Sequence, residues 1–88
     1  MPIENEVFNF PTAIPLKVIG RNVDNFEDFV LSIISKHVDE TDIHSVRSRA
    51  SRAESYLSVT VTFTAHSREH FDAIWRELST HDRILMLI

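Results

Sequence analysis

The clearest pattern in the chain is the alternation of "YLSVTVTFTA", residues 56–65, in which Leu57, Val59, Val61, Phe63 and Ala65 are apolar while Tyr56, Ser58, Thr60, Thr62 and Thr64 carry hydroxyls. A period of two predicts a strand buried on one face, with a threonine-rich face outside. The same period recurs in "AIPLKVIGR", where Ile14, Leu16 and Val18 face one way and Pro15 and Lys17 the other. This predicts a first strand, with Pro15 near its start, where a missing amide hydrogen is tolerated. The period then changes. Phe26, Phe29, Val30, Ile33, Ile34 and His37 recur at helical spacing, which predicts a one-sided helix. Asp24 stands as its N-cap, with Glu27 three residues on to complete a capping-box-like pair. A second stripe, Phe71, Ile74, Trp75 and Leu78, follows Ser67 as cap. "IHSVRSR" reads as a weaker strand, "RILMLI" as a final one, and "DETD" at 39–42 as a solvated acidic turn.

The elements therefore run strand, helix, strand, strand, helix, strand. Two helices that each need a sheet to cover fit best on one side of an antiparallel four-stranded sheet. The expected fold is α+β, a two-layer ferredoxin-like (βαββαβ) sandwich with strand order 4-1-3-2. Residues 10–88 form its single domain, preceded by a loose polar lead-in over residues 1–9. In this order the arginine-bearing second strand is an edge, where charges discourage pairing with another chain. Gly20, the sole glycine, ends the first strand and marks either positive φ or a close backbone approach.

Composition narrows the function classes. An 88-residue chain has material for one core and little for a deep enclosed active site. Its formal net charge of -4 repels nucleic acid and anionic membranes as a whole, so phosphate binding would need a local patch. With no cysteine there are no disulfides, thiol nucleophiles or thiolate metal sites. No apolar run approaches about 20 residues and no signal-like leader is present, so the chain is expected to be cytoplasmic and not membrane-spanning.

The "FP" lead-in, "LKVIG", "SVRS", "YLSVTVTFTA" and "STHDRILMLI" together resemble the YbeD-like family of small bacterial proteins, over about Phe10 to Ile88. That family has no established activity. It is similar in architecture to the ACT regulatory domain, so the resemblance implies a non-catalytic module that binds a protein or a small metabolite, with a homodimer as one assembly. The family pattern has a glycine in the turn between strands two and three. Here "RASRAES" has none, which predicts a longer or more open hairpin.

Four sets of residues are candidates for function. Arg47, Arg49 and Arg52 form an anion or partner patch, since the planar guanidinium fork binds carboxylate or phosphate bidentately; the alternative is plain edge and loop charge. Nucleic acid is a poor fit, because the third strand offers Tyr56 alone where an RNA platform needs several aromatics. Gly20, Arg21 and Asn22 match the turn that approaches a ligand in ACT-like domains, against a plain turn. Ile19, Ile84, Met86 and Ile88 form an apolar outer face, hence an interface, unless "RILMLI" lies in the opposite phase or packs beneath Phe8 and Phe10. His66 and His70 are four apart, but His66 precedes the Ser67 cap, so no metal site is expected; His37 reads as a packed or partly exposed helix-end residue. No cofactor motif is present. The strand-one loop lacks the donor run of an acylphosphatase, the third strand lacks that enzyme's asparagine, and no base-assisted nucleophile stands out.

Overall fold

The computed structural model describes residues 9–88. The expected lead-in therefore lies, apart from Asn9, outside the described residues, as does Phe8. The elements are β1 (Thr12–Arg21), α1 (Phe26–Ile34), a 3-10 turn (Glu40–Asp42), β2 (Ile43–Ala50), β3 (Tyr56–Ala65), α2 (Arg68–Ser79) and β4 (Ile84–Leu87). The sheet is antiparallel throughout and ordered β2-β3-β1-β4, which is the expected 4-1-3-2 read from the other edge.

Alternation does the sorting. The inward set of β1 (Ile14, Leu16, Val18) and that of β3 (Val59, Val61, Phe63, Ala65) are buried. They meet Phe26, Val30, Ile33 and Ile34 of α1 and Phe71, Ile74 and Leu78 of α2 in one core. No polar or charged residue is buried among the described ones, so the core is held by apolar burial, about 25 cal/mol per Å² removed from water.

Two predicted boundaries move. Ser67 caps α2 as expected, its side chain accepting from the His70 amide at 3.0 Å. Asp24 does not cap α1. The N-cap is Asn25, which makes no side-chain cap bond, and Asp24 and Asn25 both take left-handed φ of 52°. A capping side chain needs an extended backbone at that position. Here the Arg83 guanidinium donates to the carbonyls of Val23 and Asp24 and holds the loop in the other conformation. Glu27, freed from any capping box, accepts from the Ser48 hydroxyl across on β2. At the far end α1 stops at Ile34, one turn short of the His37 stripe. His37 sits in the following turn, where His70 Nε2 lies 2.6 Å from its carbonyl oxygen and its own Nε2 lies 2.7 Å from Glu77 Oε1.

The hairpin between β2 and β3 is closed rather than open. Ser51 N donates to Tyr56 O at 2.8 Å, Glu54 N to Ser51 O at 2.8 Å, and Tyr56 N to Ser51 Oγ at 3.1 Å. Glu54, at φ 61°, takes the left-handed position a glycine would fill more cheaply.

Pro15 lies inside a central strand without breaking the ladder. Lys17 exchanges both backbone bonds with Ile88, at 3.2 and 2.9 Å. Nitrogens two apart on a strand point the same way, so Pro15 would direct its amide to the β4 side, beyond the last paired residue.

Candidate functional site

Both helices lie on one face of the sheet, and the opposite face is uncovered among the described residues. Its composition follows from register, because directly paired residues share a face. One row across the sheet runs Arg49, Ser58, Ile19 and Met86; the next runs Arg47, Thr60, Lys17 and Ile88. At the hairpin end Arg21 pairs with Tyr56, its guanidinium carbon 5.8 Å from the ring centroid. Lys17, Arg21, Arg47 and Arg49 are exposed, and none makes an ion pair with a described residue.

None of the four strands contains an aspartate or glutamate, although the chain carries 13 of them. The described carboxylates lie in helices and connections, where Glu77 takes the Lys36 ammonium at 2.5 Å and Asp42 the His66 ring at 2.8 Å. A chain with net charge -4 thus shows a basic, hydroxyl-lined sheet face behind an acidic helical layer. Unpaired guanidinium groups at a surface favour anionic partners.

The predicted site residues regroup on this frame. Arg47 and Arg49 lie together on the open face, while Arg52 sits apart in the exposed hairpin turn. Lys17 and Arg21 belong with the first two; the signal for Lys17 was its place opposite the buried set of β1, but joining it to Arg47 requires that both pair with Thr60.

The Gly20, Arg21 and Asn22 set divides. Gly20 is buried beneath the Phe26 ring and the Arg83 carbonyl. Asn22 ties the end of β1 to the hairpin, its amide donating to Ser55 O at 2.9 Å and its side chain to Glu54 O at 3.2 Å. Arg83 lies over the rings of Phe26 and Phe29, at 5.6 and 4.6 Å from their centroids. Structural contacts fill this loop and leave Arg21 facing out.

The apolar set also divides. A bulge between Ile19 and Gly20 shifts β4, so that Ile84 pairs with Gly20 and packs against the core, as does Leu87 opposite Val18. Ile84 therefore leaves the outer set, and strict alternation along "RILMLI" fails in either phase. Met86 and Ile88 remain outside beside Ile19, 54% and 61% exposed. Phe10 packs against the core.

Among the described residues, no group of three or more His, Asp or Glu is placed to hold a metal ion. His66 and His70 are joined instead by a bond from the His66 amide to His70 Nδ1 at 3.1 Å. No helix among the described residues is long and apolar enough to cross a membrane.

Comparison with known proteins agrees with this architecture. The model of a family described as "Protein of unknown function (DUF493)" matches residues 5–88. A UPF0250 protein of Leptothrix cholodnii is 35% identical over 88 residues, covering 100% of this chain and 97% of the relative. One from Nitrosomonas europaea is 32% identical over 85 residues, covering 97% and 98%. Among solved structures, protein HP0495 of H. pylori superposes with a TM-score of 0.73 at 11% identity, covering 92% of this chain and 85% of that one. The ACT domain from a GTP pyrophosphokinase of Chlorobium tepidum gives 0.69 at 10% identity, covering 86% and 94%. The YbeD-like resemblance and the ACT-like sandwich expected from the sequence are both borne out, and the chain belongs to the DUF493 (UPF0250) family.

Proposed function

We propose that this protein is a non-catalytic cytoplasmic binding module that works through the uncovered face of its sheet, by taking up a partner protein or a small metabolite. The observation that carries this reading is the sorting of charge. Lys17, Arg21, Arg47 and Arg49 all emerge on one face, beside exposed Met86 and Ile88, with no described carboxylate to neutralise them. Edge charges that served only to prevent strand pairing would be confined to the edge strands β2 and β4. Lys17 and Arg21 stand on β1, a central strand. The likeness to a solved ACT domain, which by its description comes from a larger enzyme, supports a binding role by analogy of fold alone. Nucleic acid finds less support, because Tyr56 is the one aromatic on the outer positions of β1 and β3.

The test is amide chemical-shift mapping of the isotope-labelled protein against fractionated metabolites and proteins of its own cytoplasm. Saturable shifts at Lys17, Ile19, Arg47, Arg49 and Met86 are expected. A spectrum that no fraction changes, or shifts confined to α1 and α2, would refute the reading.

A further inference from the structure

We propose that the open sheet face receives an acidic amphipathic helix of a partner protein, its carboxylates over Arg47 and Arg49 and its apolar side chains over Ile19, Met86 and Ile88. This rests on the reading of that face as the working surface and names what occupies it. The face is striped along the strands. The β2 column carries Arg47 and Arg49, the β3 column is hydroxyl from Ser58 to Thr64, and the β1–β4 side carries Ile19, Met86 and Ile88 interleaved with Lys17 and Arg21.

Strands lie about 4.8 Å apart, so the cationic and apolar stripes are roughly 10–14 Å from each other. A helix with its side chains is about 10–12 Å across. One helix laid along β3 reaches both stripes with opposite flanks, and the short hydroxyl side chains beneath it leave room for its backbone. The cationic and apolar residues lie in the two rows through Ser58 and Thr60, so a helix of about 15 residues, about 22 Å long, covers them with a turn to spare at each end.

Other occupants fit the page less well. A second copy placed face to face would bring together two faces that each carry Lys17, Arg21, Arg47 and Arg49 and no strand carboxylate, a net repulsion. Single-stranded nucleic acid needs stacking aromatics that β1 and β3 lack. A drug-sized metabolite needs a deeper cleft, since the hollow between Ile19, Arg49, Tyr56 and Ser58 measures about 240 Å³, below the usual range of about 300–1,000 Å³ for such ligands. A bed of this size lies at the low end for specific complexes, so the association is transient and salt-sensitive.

The experiment is selection from a library of random peptides about 15 residues long, displayed against the immobilised protein and against its Arg47→Glu/Arg49→Glu variant. Enriched sequences are expected to carry Asp or Glu along one helical flank and Leu, Ile or Phe along the other. Bound to the parent in solution, such a peptide gains helical circular dichroism and shifts the amides of the outer strand positions. Its affinity falls at least about tenfold on the double reversal and several-fold between low and physiological salt. Met86→Ser, at an exposed position that leaves the fold intact, lowers it about threefold. Neutral or basic winners, winners that bind the reversed variant equally, peptides that bind without becoming helical, or an empty selection would each overturn the helix proposal. Neutral winners that still map to the open face would leave that face as the working surface. Winners that map to α1 and α2 would sink both readings.

Discussion

Gly20→Ala is the sharpest structural test. Gly20 lies between Leu57 of β3 and Ile84 of β4, and its φ is not in the left-handed region. The backbone alone would therefore welcome alanine, which restricts the unfolded chain and stabilises by about 0.4–1 kcal/mol at such sites. The surroundings oppose it. A Cβ built on Gly20 falls 2.4 Å from Cε1 and Cζ of Phe26 and 2.5 Å from the Arg83 carbonyl oxygen. Carbon contacts are at rest near about 3.5–4.0 Å, so the overlap with the ring exceeds about 1 Å while the carbonyl oxygen crowds the same carbon from the other side. The Phe26 ring is buried at 2% exposure under the Arg83 guanidinium, and the carbonyl belongs to the backbone entering β4, so neither yields freely. Overpacking of this kind costs about 1–3 kcal/mol. With both obstacles fixed the upper end applies, and after the backbone gain the net loss is about 2 kcal/mol. For a domain of this size that corresponds to a fall in Tm of about 8–16 °C. Urea unfolding followed by circular dichroism measures the loss, and Phe26→Leu in the same background should recover about 1 kcal/mol of it as a coupling term. A Gly20→Ala protein within about 0.5 kcal/mol of the parent, or no coupling to Phe26→Leu, would refute the close-approach account.

The remaining predictions concern the caps and one carboxylate. Ser67→Ala should cost about 1 kcal/mol, because it strips the bond to the His70 amide, whereas Asp24→Gly should stabilise by up to about 1 kcal/mol by relieving a left-handed residue that caps nothing; equal losses at both sites in chemical denaturation would contradict the observed cap. The Glu77 carboxyl is held below its ordinary value of 4.5, first by the bond from Lys36 and then by that with His37. A depressed folded value means that this contribution is complete above the unfolded value and is lost as pH falls through the folded one. A carbon-detected titration should place the Glu77 midpoint below 4.5, and Glu77→Gln should flatten the acid limb of stability against pH; a midpoint at or above the ordinary value would disprove the pairing.

Period and order were enough for the sandwich, because burial on one face leaves a mark at every second strand residue and every third or fourth helix residue. The candidate site was legible only in part, for reasons of register. Arg47 and Arg49 stood out as a run, but Lys17 joins them through a shared neighbour, Thr60, which no local pattern reveals. Ile84 was misplaced for the same reason, since one bulge turns it inward. Asp24 shows a different limit. A residue with the right chemistry for a cap lost the role to a backbone conformation imposed by Arg83, which lies 59 residues away in sequence. Gly20 was correctly marked as constrained, and the three-dimensional contacts decide between its two explanations in favour of crowding.

Pro15 has a consequence for how the molecule behaves at high concentration. Among the described residues β4 pairs only with the later half of β1, and the stretch before Lys17 has no partner on that side although its inward side chains are wholly apolar. Such flanks are templates for intermolecular β-sheet growth. A proline on that flank withholds the donor an incoming strand would need, so one imino ring works against self-templated aggregation along this part of β1.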